Sequence, residues 1–174
     1  MNRLRKPSAW DIAYSISMGI ACLLAFVAEA SMLKGFTNRD NELLGGMWAA
    51  AASAFVFRDT GSHSLAAGLA RFIATSISLL LCLPYLWVLA PSALGIPILV
   101  ATGTLLMILL NRSDDIITTA ITTIVVMAVA ILSPANAWEQ PLLRFLDTAV
   151  GIVIGVICRQ VASSAFNRRE HRFT

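Results

Sequence analysis

The chain has 174 residues, of which 57% are hydrophobic and 13% charged, and its net charge is +3. A soluble domain carries about 45–50% apolar and about 25% charged residues, and the mean hydropathy here is +0.76. So many apolar side chains find no room in the core of a small soluble domain. The composition excludes a soluble enzyme, a nucleic-acid-binding module and a disulfide-stapled secreted domain, and makes the lipid bilayer the first partner.

A span needs about 20 predominantly apolar residues, and lipid-facing backbone must bond within its own segment, which leaves helices. Six segments qualify. Trp10–Leu33 follows the basic stretch Met1–Lys6 and is longer than a signal-peptide apolar region, so it reads as a retained first span. Leu43–Phe57 is 15 residues long and opens with Gly45-Gly46; it starts earlier, tilts little or is broken. His63–Leu83 follows Arg58–Gly61, with His63 read as a residue that leads into the helix. Pro84, Pro91 and Pro97 bracket the next gap, then come Leu94–Leu110 and, after Asn111–Asp115, Ile116–Leu132. Pro134 and Asn136 precede Pro141–Ala162, and residues 163–174 form a short basic cytoplasmic tail.

With six spans both termini lie on one side. That side holds nine cations (Arg3, Arg5, Lys6, Arg58, Arg112, Arg159, Arg168, Arg169 and Arg172) against Lys34 and Arg39 opposite. The excess of cations places both termini in the cytoplasm. Tyr85, Trp87 and Trp138 then fall near the outer interface and Trp10 near the inner one, as interfacial anchors. Cys22, Cys82 and Cys158 are odd in number and lie in apolar stretches, which implies no disulfide framework.

The third and sixth segments share a pattern. Arg71-Phe72-Ile73-Ala74-Thr75 and Arg144-Phe145-Leu146-Asp147-Thr148 both read Arg-Phe-x-x-Thr, each followed three residues on by a small residue, Ser78 or Gly151, at an offset of 73. The same offset lays the second segment over the fifth and the first roughly over the fourth. The expected fold is therefore an all-α integral membrane domain over residues 1–174. Its two inverted three-helix repeats cover about 10–83 and about 94–162, because an odd number of spans per repeat reverses the second.

Charges inside spans cost about 2.5–3.5 kcal/mol at a helix centre and mark functional sites. Glu29, Arg71, Arg144 and Asp147 lie within spans. Arg144, Asp147 or Thr148, Gly151 and Gly155 share one helix face, as do Gly68, Arg71, Thr75, Ser78 and Cys82. Gly151-x-x-x-Gly155 has the spacing that lets membrane helices approach closely. Either these charges pair and hold the helices together, or the guanidinium forks bind a carboxylate while an acidic residue carries protons. Thr118, Thr119, Thr122 and Thr123 either line a cavity or bond their own backbone. No metal-ligand cluster, nucleophile constellation, phosphate loop or cofactor motif is present in the sequence.

Three elements resemble the fusaric acid resistance and aromatic acid exporter superfamily. They are Met47-Trp48 with the small-residue run to Phe57, Gly68-x-x-Arg71-x-x-Ala74-Thr75, and Arg144-x-x-Asp147-Thr148-x-x-Gly151-x-x-x-Gly155. The resemblance implies a six-helix membrane unit in a bacterial inner membrane, exporting aromatic carboxylic acids or other small organic anions, driven by protons and not an enzyme. On that carry-over Arg71, Arg144 and Asp147 are the functional positions. With the helix faces read above, Arg71, Arg144, Thr75 and Thr148 are the substrate-binding candidates, Asp147 and Glu29 the proton-coupling ones, and Gly151, Gly155 and Ser78 the helix-packing ones. Ala74 and Ser78 stand where the family's first repeat commonly has glycine. Many relatives contain two membrane units and a cytoplasmic domain, whereas only the tail 163–174 follows the last span here, so a homo-oligomer, most simply a dimer, is expected. A non-transporting membrane assembly protein and a passive channel are the alternatives. An assembly protein tolerates exchanging Arg144 with Asp147, and a channel conducts without regard to a pH gradient.

Overall fold

The computed structural model describes residues 6, 8–58 and 64–170; His63, Arg3, Arg5 and Arg172 lie outside the described residues. It contains six α-helices: α1 Ala9–Leu33, α2 Arg39–Arg58, α3 Ser64–Val88, α4 Gly95–Leu109, α5 Ile116–Leu132 and α6 Glu139–Glu170. Among the described residues four stretches are long and apolar enough to cross a membrane: Trp10–Leu33, Gly68–Val88, Ser113–Leu132 and Glu139–Ser164. Residues 95–109 form a shorter apolar helix.

By contacts the chain divides into two compact units, residues 1–65 with 150–174, and residues 66–149. The first holds α1, α2 and the later turns of α6. Ser8 caps α1 in a reciprocal box: Asp11 N donates to Ser8 Oγ at 3.2 Å, and Ser8 N donates to Asp11 Oδ2 at 2.8 Å. This satisfies two amides that a helix start leaves open. The chain then reverses through Gly35 at φ +86°, a left-handed conformation that glycine adopts without strain. Asn38 Oδ1 accepts from Asn41 N at 2.9 Å, which starts α2 at Arg39. The second segment is thus 20 residues long, about 30 Å at 1.5 Å per residue, and Gly45-Gly46 lies inside an unbroken helix. At Gly46 α1 and α2 approach closely: a methyl carbon there would stand 2.8 Å from the Phe26 ring and 3.0 Å from the Phe26 carbonyl oxygen.

The second unit holds α3 almost entirely, α4, α5 and the first turns of α6. Pro84 does not end α3, which runs four residues further to Val88. A proline lacks the amide for one helical bond, but neighbouring helices and local adjustment make it tolerable in membrane helices. Pro97 sits in the first turn of α4, where amides have no partner inside the helix. That helix ends on Asn111 at φ 56°, with Arg112 N donating to Met107 O at 2.9 Å, a Schellman closure. A single 3-10 turn, Ser113–Asp115, leads into α5. Cys82, Leu86, Leu99, Val126, Met127, Ala130 and Ala137 form the core of this unit, with Ala74, Ile77 and Met107 in a second cluster.

The last helix is 32 residues long, about 48 Å. It stays helical through Glu170, so most of the stretch read as a tail from residue 163 continues the helix.

Exposure is reversed relative to a soluble protein. Ile16 is 58% and Leu23 62% exposed, while Arg144 is 1% and Asp147 0% exposed. Apolar surface on this scale, with charge kept inside, marks a protein whose solvent is lipid.

Candidate functional site

The second unit gathers most of the polar side chains singled out above. Arg71 and Thr75 occupy successive turns of one α3 face and are 5% and 1% exposed. On α6, Arg144, Asp147 and Thr148 are buried to 1% or less. Arg144 Nη1 meets Asp147 Oδ2 at 2.8 Å, three residues along the same helix. The pair neutralises itself within one turn, the condition for holding a buried charge at tolerable cost. Thr148 Oγ1 donates to the Arg144 carbonyl at 2.7 Å, so its proton is spent on its own helix. Thr75 Oγ1, at the same place in the other Arg-Phe-x-x-Thr motif, is buried and makes no hydrogen bond among the described residues.

Ser78 bridges α3 and α5. Its Oγ lies 3.2 Å from Ala74 O and 3.0 Å from Thr119 O, and Thr123 Oγ1 donates to it at 3.3 Å. Of the α5 threonines, Thr122 bonds its own backbone at Thr118 O, 2.8 Å away, whereas Thr119 Oγ1 is buried without a hydrogen bond among the described residues. Thr122 thus follows the backbone-bonding alternative. Gln140, buried to 3% at the start of α6, is a polar group that hydropathy did not single out. Phe72 and Phe145, the second residues of the two Arg-Phe-x-x-Thr motifs, touch with ring centroids 4.8 Å apart. Trp87 and Trp138, 6.3 Å apart, line an open cleft of about 340 Å³ with Leu86.

In the first unit Glu29 is 2% exposed, and its Oε2 makes no hydrogen bond among the described residues. Gly151 and Gly155 pack on α2. A methyl carbon at 151 would collide with the Ala49 carbonyl oxygen, and one at 155 would stand 3.0–3.1 Å from Ser53. Ser53 is itself fully buried, a polar site hidden in the sequence by the alanines around it. Its hydroxyl also has no hydrogen bond among the described residues. No group of three or more His, Cys, Asp or Glu is placed to hold a metal ion among the described residues.

Long apolar helices with exposed apolar surface and buried charge define a membrane protein that is all-helical among the described residues. The chain belongs to the fusaric acid resistance protein-like family, whose sequence model matches residues 20–158. That match makes it a membrane transport or resistance-type protein. No curated protein and no solved structure matches it.

Proposed function

We propose that this protein is a proton-coupled exporter of small organic anions, aromatic carboxylic acids among them, with six spans in a bacterial inner membrane and both termini in the cytoplasm. The observation that carries this reading is the pair of buried guanidiniums, Arg71 and Arg144, at equivalent positions of two related motifs. The second motif carries a carboxylate, Asp147, where the first has Ala74. Arg71 with the hydroxyl of Thr75 is the anion-binding end in this reading, since a guanidinium presents a planar fork matched to a carboxylate. Arg144 and Thr148 form the second anion site, and Asp147 is the proton carrier whose protonation frees Arg144 for substrate. Glu29, a buried carboxyl on α1, is the second proton carrier.

The inverted-repeat reading has support from packing inside each unit. The last helix of the second repeat, α6, packs through Gly151 on α2 of the first repeat. The last helix of the first, α3, packs through Ser78 on α5 of the second. Each third helix is thus exchanged into the other repeat's pair, and the equivalent residues Phe72 and Phe145 meet. Rocking of one repeat against the other supplies alternating access. Lipid-facing rows such as Ile12, Ile16 and Leu23 leave apolar surface for a second copy, and a homodimer is part of the proposal.

The test is uptake of labelled benzoate and aliphatic carboxylates into inverted membrane vesicles under a pH gradient. Wild type should accumulate an aromatic acid, and Asp147→Asn and Arg71→Gln should each lower the initial rate at least tenfold while remaining inserted. Exchanging Arg144 and Asp147 keeps the ion pair and should still abolish uptake. Full activity of the exchanged variant, or uptake indifferent to the gradient, would sink the proposal.

A further inference from the structure

A third guanidinium lies in the first unit, outside both Arg-Phe-x-x-Thr motifs. Arg159 follows Gly151 and Gly155 at four-residue steps on one face of α6. Its guanidinium carbon stands 5.4 Å from the Tyr14 ring centroid and 5.8 Å from that of Phe57. Tyr14 and Phe57 are 6.1 Å apart, and the Tyr14 hydroxyl donates to the Phe57 carbonyl at 2.5 Å. That bond fixes Tyr14 to the last turn of α2 and holds the two rings as a cradle. Arg159 Nε is buried and makes no hydrogen bond among the described residues. Among the described residues Arg159 forms no ion pair. The carboxylate in the first turn of α1, Asp11, accepts from Ser8 N and Ser8 Oγ at 2.8 and 3.0 Å.

Rings that stack on a guanidinium attract its charge through their faces, but they satisfy none of its five N–H donors. Such a site restrains the arginine's stem and leaves the fork itself to be completed from outside. The ligand that completes it has two coplanar anionic oxygens, for which a guanidinium is the matched receptor. We propose that Arg159, held by Tyr14 and Phe57, is an oxyanion-binding site that takes the carboxylate of a free organic acid or the phosphate of an anionic lipid headgroup. The site is independent of the exporter reading, because it uses none of that reading's residues.

The test reads the site locally. The chain has two tyrosines, Tyr14 and Tyr85. Protein labelled with 3-fluorotyrosine therefore gives two fluorine resonances, which Tyr85→Phe assigns. The full chain in phosphatidylcholine nanodiscs is titrated with benzoate in one arm, and nanodiscs of increasing phosphatidylglycerol content are compared in the other. A saturable shift of the Tyr14 resonance is expected in at least one arm, and the arm that produces it identifies the source of the oxyanion. Arg159→Gln should abolish that shift. Arg159→Lys keeps the charge and folds with the same stem but loses the fork, and should weaken half-saturation about tenfold. A Tyr14 resonance indifferent to both ligands, or one whose shift survives unchanged in Arg159→Gln, overturns the proposal and leaves Arg159 as a packing residue.

Discussion

Replacing Gly151 with alanine is expected to prise α6 from α2. The added carbon would collide with the Ala49 carbonyl oxygen and lie 2.8 Å from Ala52 Cβ and 2.9 Å from the Ala49 carbonyl carbon. Two of these three obstacles are backbone, which has no rotamer by which to move aside. Restoring ordinary contact at 3.4–4 Å requires the helices to separate locally by roughly 1 Å, and their other contacts lose much of their dispersion attraction over such a gap. Overpacking of this kind costs about 1–3 kcal/mol. The separated surfaces gain no compensation from solvent, since lipid tails are as apolar as the faces uncovered. Gly155→Ala is the graded companion: its nearest neighbours, all atoms of Ser53, lie at 3.0–3.1 Å, so a smaller shift relieves it. Gly19 has nothing within 4 Å, and alanine there should gain about 0.5–1 kcal/mol by restricting the unfolded chain and favouring helix. Unfolding midpoints in mixed detergent micelles titrated with sodium dodecyl sulfate should fall in the order Gly19→Ala, wild type, Gly155→Ala, Gly151→Ala. A Gly151→Ala midpoint at or above that of Gly19→Ala would refute the close-approach argument.

Ser78→Ala should destabilise the second unit, because the bridge from α3 to Thr119 O is lost and the buried Thr123 hydroxyl loses its acceptor. A double-mutant cycle with Thr123→Val should give a coupling of about 0.6 kcal/mol and not above about 1.7 kcal/mol, the range found for hydroxyl bonds between membrane helices. Ser8→Ala removes the acceptor for Asp11 N and should cost about 0.5–2 kcal/mol. Its signature is faster hydrogen exchange confined to the first turn of α1; protection lost along the whole helix would contradict the cap assignment.

Much of the candidate site was legible in the sequence because lipid prices charge so steeply. Glu29, Arg71, Arg144 and Asp147 stood out as charges inside apolar runs, and all four are buried. The Arg144–Asp147 contact also follows from helical spacing, since residues three apart face each other. Ser53 and Gln140 give no such signal, because an isolated uncharged polar residue barely alters hydropathy. Whether a hydroxyl is spent on its own backbone, as at Thr148 and Thr122, or makes no bond among the described residues, as at Thr75 and Thr119, depends on rotamers that composition does not encode.

The sequence by itself determined that the chain is helical and lives in lipid, where its apolar helices lie, and which polar faces turn inward. Hydropathy and the single backbone solution available in hydrocarbon are both local properties of a segment. The tertiary structure decided which helices are neighbours. Small residues permit close approach but do not name the partner, so Gly151 facing Ala49, Ser78 facing Thr119 and Arg159 resting on Tyr14 and Phe57 emerge only from the packed chain. It also decided that α3 runs through Pro84 and that α6 runs on to Glu170. Proline removes one helical bond without fixing where a helix stops, and a polar final stretch has no hydropathy signal to reveal it as helix.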